Sequence, residues 1–225
     1  MKDSKLSASM MCADLINLKE TISIFEQEKV DYLHIDVMDG EFVPNFGLGV
    51  DYIRGLRELT HIPLDIHLMI RNPEYKLQWI GIKESDIVSI HYESTYQVQR
   101  VLDWLEPYKC KKFLAISPAT PIYVLEEVLD YIDGINLLMV NPGFAGQKIV
   151  PSTIKKAEKL KLFLKKLHRE DIIIEVDGNI TPENGHKLRT LGASIFVCGS
   201  SSIFKVNVKQ YKSNIENFRL HLYQQ

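Results

Sequence analysis

The sequence is poor in the features that mark several protein classes. It has three cysteines in 225 residues, Cys12, Cys110 and Cys198, with no CxxC pair. So sparse and odd a set argues against a disulfide framework and for a reducing compartment. No apolar run approaches the roughly 18 residues that would span a bilayer, and the N-terminal MKDSKLSASMMCAD lacks the apolar core of a signal peptide. These absences predict a cytoplasmic protein with no membrane partner. No sign of charge dominates: the formal net charge is -2, with no basic tail or RNA-reading motif, so no nucleic-acid partner is expected. A GxGxxG turn after the first strand is also missing, which disfavours a doubly wound dinucleotide-binding sheet.

What is present is an ordinary globular balance, 45% hydrophobic and 25% charged. Apolar β-like runs recur near 5–10, 31–37, 63–69, 86–91, 112–116, 134–140, 171–176 and 194–198. Between them lie stretches of helical period. Leu15, Leu18, Ile22 and Phe25 set it within 14–28, and Ile154, Ala157, Leu160, Leu164 and Leu167 within 151–169. Further helices are expected over 50–59, 73–82, 95–106, 121–130 and 206–223. Another opens at Thr181-Pro182-Glu183, with Thr181 as N-cap and Pro182 at the first helical position. Eight strands alternating with helices and no long polar linker predict one (β/α)₈ barrel domain over residues 1–225. In the lysine-rich 155–170 the apolar residues keep helical spacing, so the lysines are expected on a solvated face.

Residues two apart in a strand face the same side. His34, Asp36 and Met38 therefore share a face, as do Asp65, His67 and Met69, Leu137 and Met139, and Glu175 and Asp177. Barrel enzymes keep their sites at the C-terminal strand ends, so His34, Asp36, His67 and Asp177 can converge there. Any one of them alone reads as a satisfied core polar group; four at matching strand ends do not. Imidazole with carboxylate suits Zn²⁺, Fe²⁺, Mn²⁺ or Co²⁺ without choosing among them. His91, with Glu93 in HYE, reads either as support for such a site or as a plain polar strand end. His61, His168, His186 and His221 read as surface residues. Glycine-rich turns follow the last three strands: NPGFAGQ (141–147), DGN (177–179) and CGSSSIF (198–204). Glycine lets backbone N–H groups approach an anion, and a short helix after Gly199-Ser200 would aim its positive end at one. Together they favour a phosphorylated substrate.

HIDVMDGEFVPN (34–45), DIHLM (65–69), MVNPGFAGQ (139–147), EVDGNI (175–180) and CGSSSIF (198–204) resemble, in order, the motifs of the ribulose-phosphate 3-epimerase family. The resemblance runs from SASMMCAD at 7–14 to the last strand. It implies a (β/α)₈ barrel of the ribulose-phosphate-binding type and a metal-dependent ketose-phosphate 3-epimerase. Positions matching His34, Asp36, His67 and Asp177 would hold one divalent ion, and Asp36 and Asp177 would be the acid/base pair. Ser9 and His67 would lie near the substrate, with Met38, Met69 and Met139 capping the reacting centre. Gly143, Phe144, Ala145, Gly146, Gly178, Asn179, Gly199 and Ser200 would form the phosphate loops. A homo-oligomer is the corresponding assembly.

Epimerising C3 of a 2-ketose removes a proton beside a carbonyl and returns one to the opposite face, so two bases are needed, with positive charge to stabilise the enediolate. The favoured reaction is D-ribulose 5-phosphate to D-xylulose 5-phosphate. Three departures bear on the sugar: Cys12 and Ser117 where the family has serine and asparagine, and Gly178-Asn179 where it has Gly-Gly. Cys12 and the PGFAGQ loop also resemble the allulose-6-phosphate 3-epimerase branch, which gives D-allulose 6-phosphate to D-fructose 6-phosphate as the alternative. A Schiff-base aldolase would want an inner lysine that GINLLMV does not offer. A non-catalytic sugar-phosphate sensor would have lost a base or ligand, and all four are present.

Overall fold

The computed structural model describes residues 3–205 and 207–224. Residue 206, the first of the expected 206–223 helix, and residues 1, 2 and 225 of the expected domain lie outside them. Eight parallel strands close into a barrel in chain order. They are β1 (Lys5–Ser9), β2 (Tyr32–Met38), β3 (Leu64–Met69), β4 (Ile87–His91), β5 (Lys111–Ile116), β6 (Gly134–Leu138), β7 (Ile173–Asp177) and β8 (Ile195–Cys198). β8 pairs back onto β1 through Lys5–Ile195 to Ala8–Cys198, which removes any free edge. The register sets Asp36 beside His67 and His34 beside Asp65, and aligns Leu138 with Asp177. Strands covered on both faces read as near-continuous apolar runs, which is why their polar members stand out.

Among the described residues six α-helices surround the barrel: α1 (Leu18–Gln27), α2 (Val50–Leu59), α3 (Val98–Leu105), α4 (Ser152–Lys166), α5 (Pro182–Thr190) and α6 (Tyr211–Tyr223). No helix among the described residues is long and apolar enough to cross a membrane. α5 begins as expected: the Thr181 side chain accepts from the Asn184 N–H and Pro182 takes the first turn. Phe25 of α1 packs edge-on to Phe204 and stacks with Tyr211 of α6, and Phe218 of α6 meets Phe196 of β8. These fully or largely buried rings tie the first and last helices to the barrel wall.

Several expected helices differ. α1 starts at Leu18 rather than 14, because the Asp14 carboxylate accepts from the Ile16 N–H and the Asn17 amide in a local turn. Segment 73–82 is two single 3₁₀ turns, Pro73–Tyr75 and Leu77–Trp79. Between them Lys76 leaves helical φ, its ammonium drawn back to Asp39 and the Arg71 carbonyl. Segment 122–131 is a 3₁₀ helix, with β-branched Ile122, Val124 and Val128 lowering its α-propensity. The short helix expected after Gly199-Ser200 is a set of turns in which Ser202 and Phe204 N–H groups return to the Gly199 carbonyl. Most lysines of α4 are solvated, but Lys156 is buried and donates to the Ser117 carbonyl at 2.7 Å. Burial pushes its ammonium down to about 8.

Candidate active site

The C-terminal ends of β2, β3 and β7 bring together four of the predicted residues. Ligand atoms of His34, Asp36, His67 and Asp177 all lie within 4.8 Å of one another. His34 Nε2 is 3.3 Å from Asp36 Oδ1 and 3.7 Å from Asp177 Oδ2. His67 Nδ1 is 3.3 and 3.5 Å from the same two oxygens. Both rings are fully buried, and Asp36 nearly so. His34 Nε2 is buried and has no well-formed hydrogen bond among the described residues, although it faces two carboxylates. That orphaned atom, with two imidazoles and two carboxylates converging on one point, fits a divalent first-row ion.

The local electrostatics follow from the same packing. Burial alone would raise the Asp36 carboxyl, but His34 and His67 beside it hold it well below the carboxylate range. Burial would likewise lower His34, but Asp65 and Asp36 hold it well above the ordinary imidazole value. Asp65 is fully buried on the same inner face as His67; its Oδ2 accepts from His34 Nδ1 and from the Ser7 hydroxyl, both at 2.6 Å. A carboxylate behind a ligating histidine fixes the ring and raises its basicity. One level below Asp177, Glu175 is fully buried; burial and the Asp65 carboxylate push its carboxyl well up. The Ser9 hydroxyl reaches Asp36 Oδ2 at 3.3 Å.

Above this floor opens a cleft with room for about 70 Å³. Its walls include Ser9, Met38, Met69, Gly178, Asn179, Gly199, Ser200 and the 141–147 loop with Gly143, Phe144, Ala145 and Gly146. Cys12 is also in the wall, with its sulfur near Gly199. Met139 is turned the other way. Along β6 and its extension Leu138 and Val140 line the cleft, so Met139 faces outward into the main core, fully buried. Met38 and Met69 instead pack with Val43 and Met11, which supplies a third methionine.

The loops are tied together. Gly178 sits at φ +105°, and a Cβ there would lie 2.5 Å from Val140 Cγ2. Asn179 follows at φ 52°, a conformation asparagine tolerates, and its amide donates to the Gln147 carbonyl at 2.8 Å. The Asn45 amide holds the Gly143 carbonyl at 2.8 Å from the β2 side.

Sequence reading did not assign the roles of Asp65, Met11, Asn45 or Gln147. Asp65 carried a signal, the D-x-H spacing that places it on the His67 face. The loop partners carried none. His91 proves to be inside the site rather than at a plain strand end: His67 Nε2 lies 2.8 Å from His91 Nε2, and His91 Nδ1 lies 3.0 Å from Glu93.

A closed parallel barrel with paired imidazoles and carboxylates at its C-terminal mouth, roofed by glycine-rich loops, is the layout of a (β/α)₈ barrel enzyme. The model of the ribulose-phosphate 3 epimerase family matches residues 5–204. A ribulose-phosphate 3-epimerase of Bacillus subtilis (strain 168) is 35% identical over 197 residues, 88% of this chain and 91% of that one. The chloroplastic ribulose-5-phosphate-3-epimerase of Arabidopsis thaliana is 37% identical over 204 residues, 88% of this chain and 71% of that one. A solved 3-keto-L-gulonate-6-phosphate decarboxylase from Vibrio cholerae superposes with a TM-score of 0.69 at 12% identity, covering 99% of this chain and 98% of that one, a likeness of fold. The chain belongs to the ribulose-phosphate 3-epimerase family and is an epimerase.

Proposed function

We propose that this chain interconverts D-ribulose 5-phosphate and D-xylulose 5-phosphate as one barrel domain. Asp36 and Asp177 move the C3 proton, and His34, Asp36, His67 and Asp177 hold one divalent ion, Zn, Fe, Mn or Co. The observation that carries the reading is the convergence of the two carboxylates with two imidazoles at the floor of a cleft roofed by glycine loops. When bound, the ion supplies positive charge beside the substrate carbonyl, which lowers the cost of removing the neighbouring proton.

The rest is the work of side chains. Asp36 on β2 and Asp177 on β7 come from different strands of the closed barrel, so a planar enediolate between them meets one carboxylate on each face. One takes the proton, and the other returns one to the opposite face. Ser9 orients Asp36 through its Oδ2. Met11, Met38 and Met69 line the reacting end with groups that carry no acidic proton, so water is displaced without a competing donor. Backbone N–H groups of the Gly143–Gly146, Gly178–Asn179 and Gly199–Ser200 loops take the phosphate.

D-Allulose 6-phosphate is one carbon longer and would need those loops further out. The Asn179–Gln147 and Asn45–Gly143 hydrogen bonds oppose that movement and support the five-carbon substrate. The test is kcat/KM of metal-loaded protein on both sugars, with Asp36→Asn and Asp177→Asn alongside. Higher efficiency on ribulose 5-phosphate, lost in both variants, is expected. A reversed ratio assigns the six-carbon sugar, and turnover of neither sinks the epimerase assignment and leaves a sensor. A homo-oligomer belongs to the same proposal, and light scattering of the purified chain tests it.

A further inference from the structure

We propose that Glu93 and His91 form a hydrogen-bonded relay that dictates which ring nitrogen of His67 is left bare toward Asp36 and Asp177. They would then be positioning residues for the β3 member of the site. The inference rests on the metal-site reading above and deepens it.

One chain of donors and acceptors links Glu93 to His67. The Glu93 carboxylate can only accept. Its Oε1 accepts from the Ser117 N–H at 2.9 Å and from the Thr120 hydroxyl, which fixes the group from the loop after β5. Its Oε2 lies 3.0 Å from His91 Nδ1, so Nδ1 carries the His91 proton. His91 Nε2 is then a lone pair, and it lies 2.8 Å from His67 Nε2. Two bare nitrogens cannot meet at that distance, so His67 Nε2 carries hydrogen and donates. Nε2 is thereby held by His91, so Nδ1, which here shares a hydrogen bond with Asp36 Oδ1 at 3.3 Å and lies 3.5 Å from Asp177, is the nitrogen left to give its lone pair to an ion.

The packing leaves the rings little room to turn. The His67 and His91 rings lie edge to edge, 23° from parallel with centroids 4.9 Å apart, and the Phe42 ring centroid lies 4.8 Å from that of His91. Both histidines are fully buried. The first histidine is set the opposite way: Asp65 accepts a hydrogen bond from His34 Nδ1, which turns Nε2 toward the carboxylates. The two imidazoles thus present different nitrogens to one point, and each needs its own orienting partner. Asp65 does this directly. On β3 the carboxylate is one ring further away, and His91 transmits its hydrogen-bond direction.

Cobalt titration of metal-free protein, followed by visible absorption, compares wild type with His91→Phe and Glu93→Gln. Phenylalanine keeps an aromatic ring at the position and removes the acceptor, so cobalt affinity should fall roughly 10- to 100-fold. Glu93→Gln keeps an acceptor for His91 and should lose less. Nitrogen-15 NMR of zinc-loaded wild type supplies a readout that needs no variant to fold: His67 should carry its proton on Nε2 and His91 on Nδ1. Unchanged cobalt affinity in His91→Phe, or a His91 proton on Nε2, overturns the relay. Wild-type protein that binds no cobalt overturns the metal-site reading itself, which keeps the two failures apart.

Discussion

Gly178 separates the Asp177 carboxylate from the loop that walls the cleft, and replacing it with alanine tests whether close packing sets that loop. Two costs are expected. The first is backbone: φ is +105°, where a Cβ is disfavoured by about 1–3 kcal/mol. The second is steric: the added methyl would sit 2.5 Å from Val140 Cγ2 and 3.0 Å from Cγ1, and overpacking of this kind costs about 1–3 kcal/mol. Gly178→Ala should therefore lose roughly 2–6 kcal/mol, a fall in Tm on the order of 5–20 °C for a chain of this size. Val140→Ala removes the methyls that the new Cβ strikes and leaves φ untouched. In a double-mutant cycle read by urea denaturation, the pair should be more stable than the sum of the singles by roughly 1–3 kcal/mol, the steric part alone. Additivity within about 0.5 kcal/mol would refute the packing argument and leave only backbone strain.

Two further outcomes are expected. Burial alone would raise the Glu93 carboxyl, but hydrogen bonds from His91, Thr120 and the Ser117 N–H hold it down at about 2, against 4.5 when free. A depressed carboxylate stabilises the fold above its unfolded pKa and stops doing so as pH falls through the folded value. Glu93 should thus contribute up to about 3 kcal/mol above pH 4.5 that disappears toward pH 2. Urea midpoints between pH 6 and pH 3 should fall more steeply for wild type than for Glu93→Gln, and parallel curves would contradict this. Asn179→Gly should change stability by less than about 1 kcal/mol, because relief of the φ 52° backbone offsets the lost bond to Gln147. Its KM for the phosphosugar should rise several-fold while kcat changes little; an unchanged KM would show that the staple does not shape the cleft.

The strands were legible because a barrel buries both faces of each one, leaving apolar runs of strand length punctuated by turns. The same burial hid the inner face of β6. GINLLMV is apolar on both sides, and only the lone Asn136 marks the lumen face, so Met139 reads as inward when it points to the helices. Polar residues on otherwise apolar strands are expensive to bury, which made His34, Asp36, His67 and Asp177 conspicuous. Their orienting partners were not equally so. Asp65 sits on the His67 face but meets His34 across the β2–β3 register, and His91 meets His67 across the β3–β4 pair through a hydrogen bond between ring nitrogens. Helix starts shifted where a single side chain, Asp14, captured the backbone first.

The central claim is that two carboxylates, one on each face, carry the C3 proton. It is tested most directly by incubating metal-loaded protein with ribulose 5-phosphate in D₂O and following C3 by proton NMR. The account predicts that xylulose 5-phosphate forms with deuterium at C3 while unreacted ribulose 5-phosphate keeps its hydrogen through the first turnovers. Product that retains the substrate's own hydrogen, or no reaction at C3 at all, would contradict it.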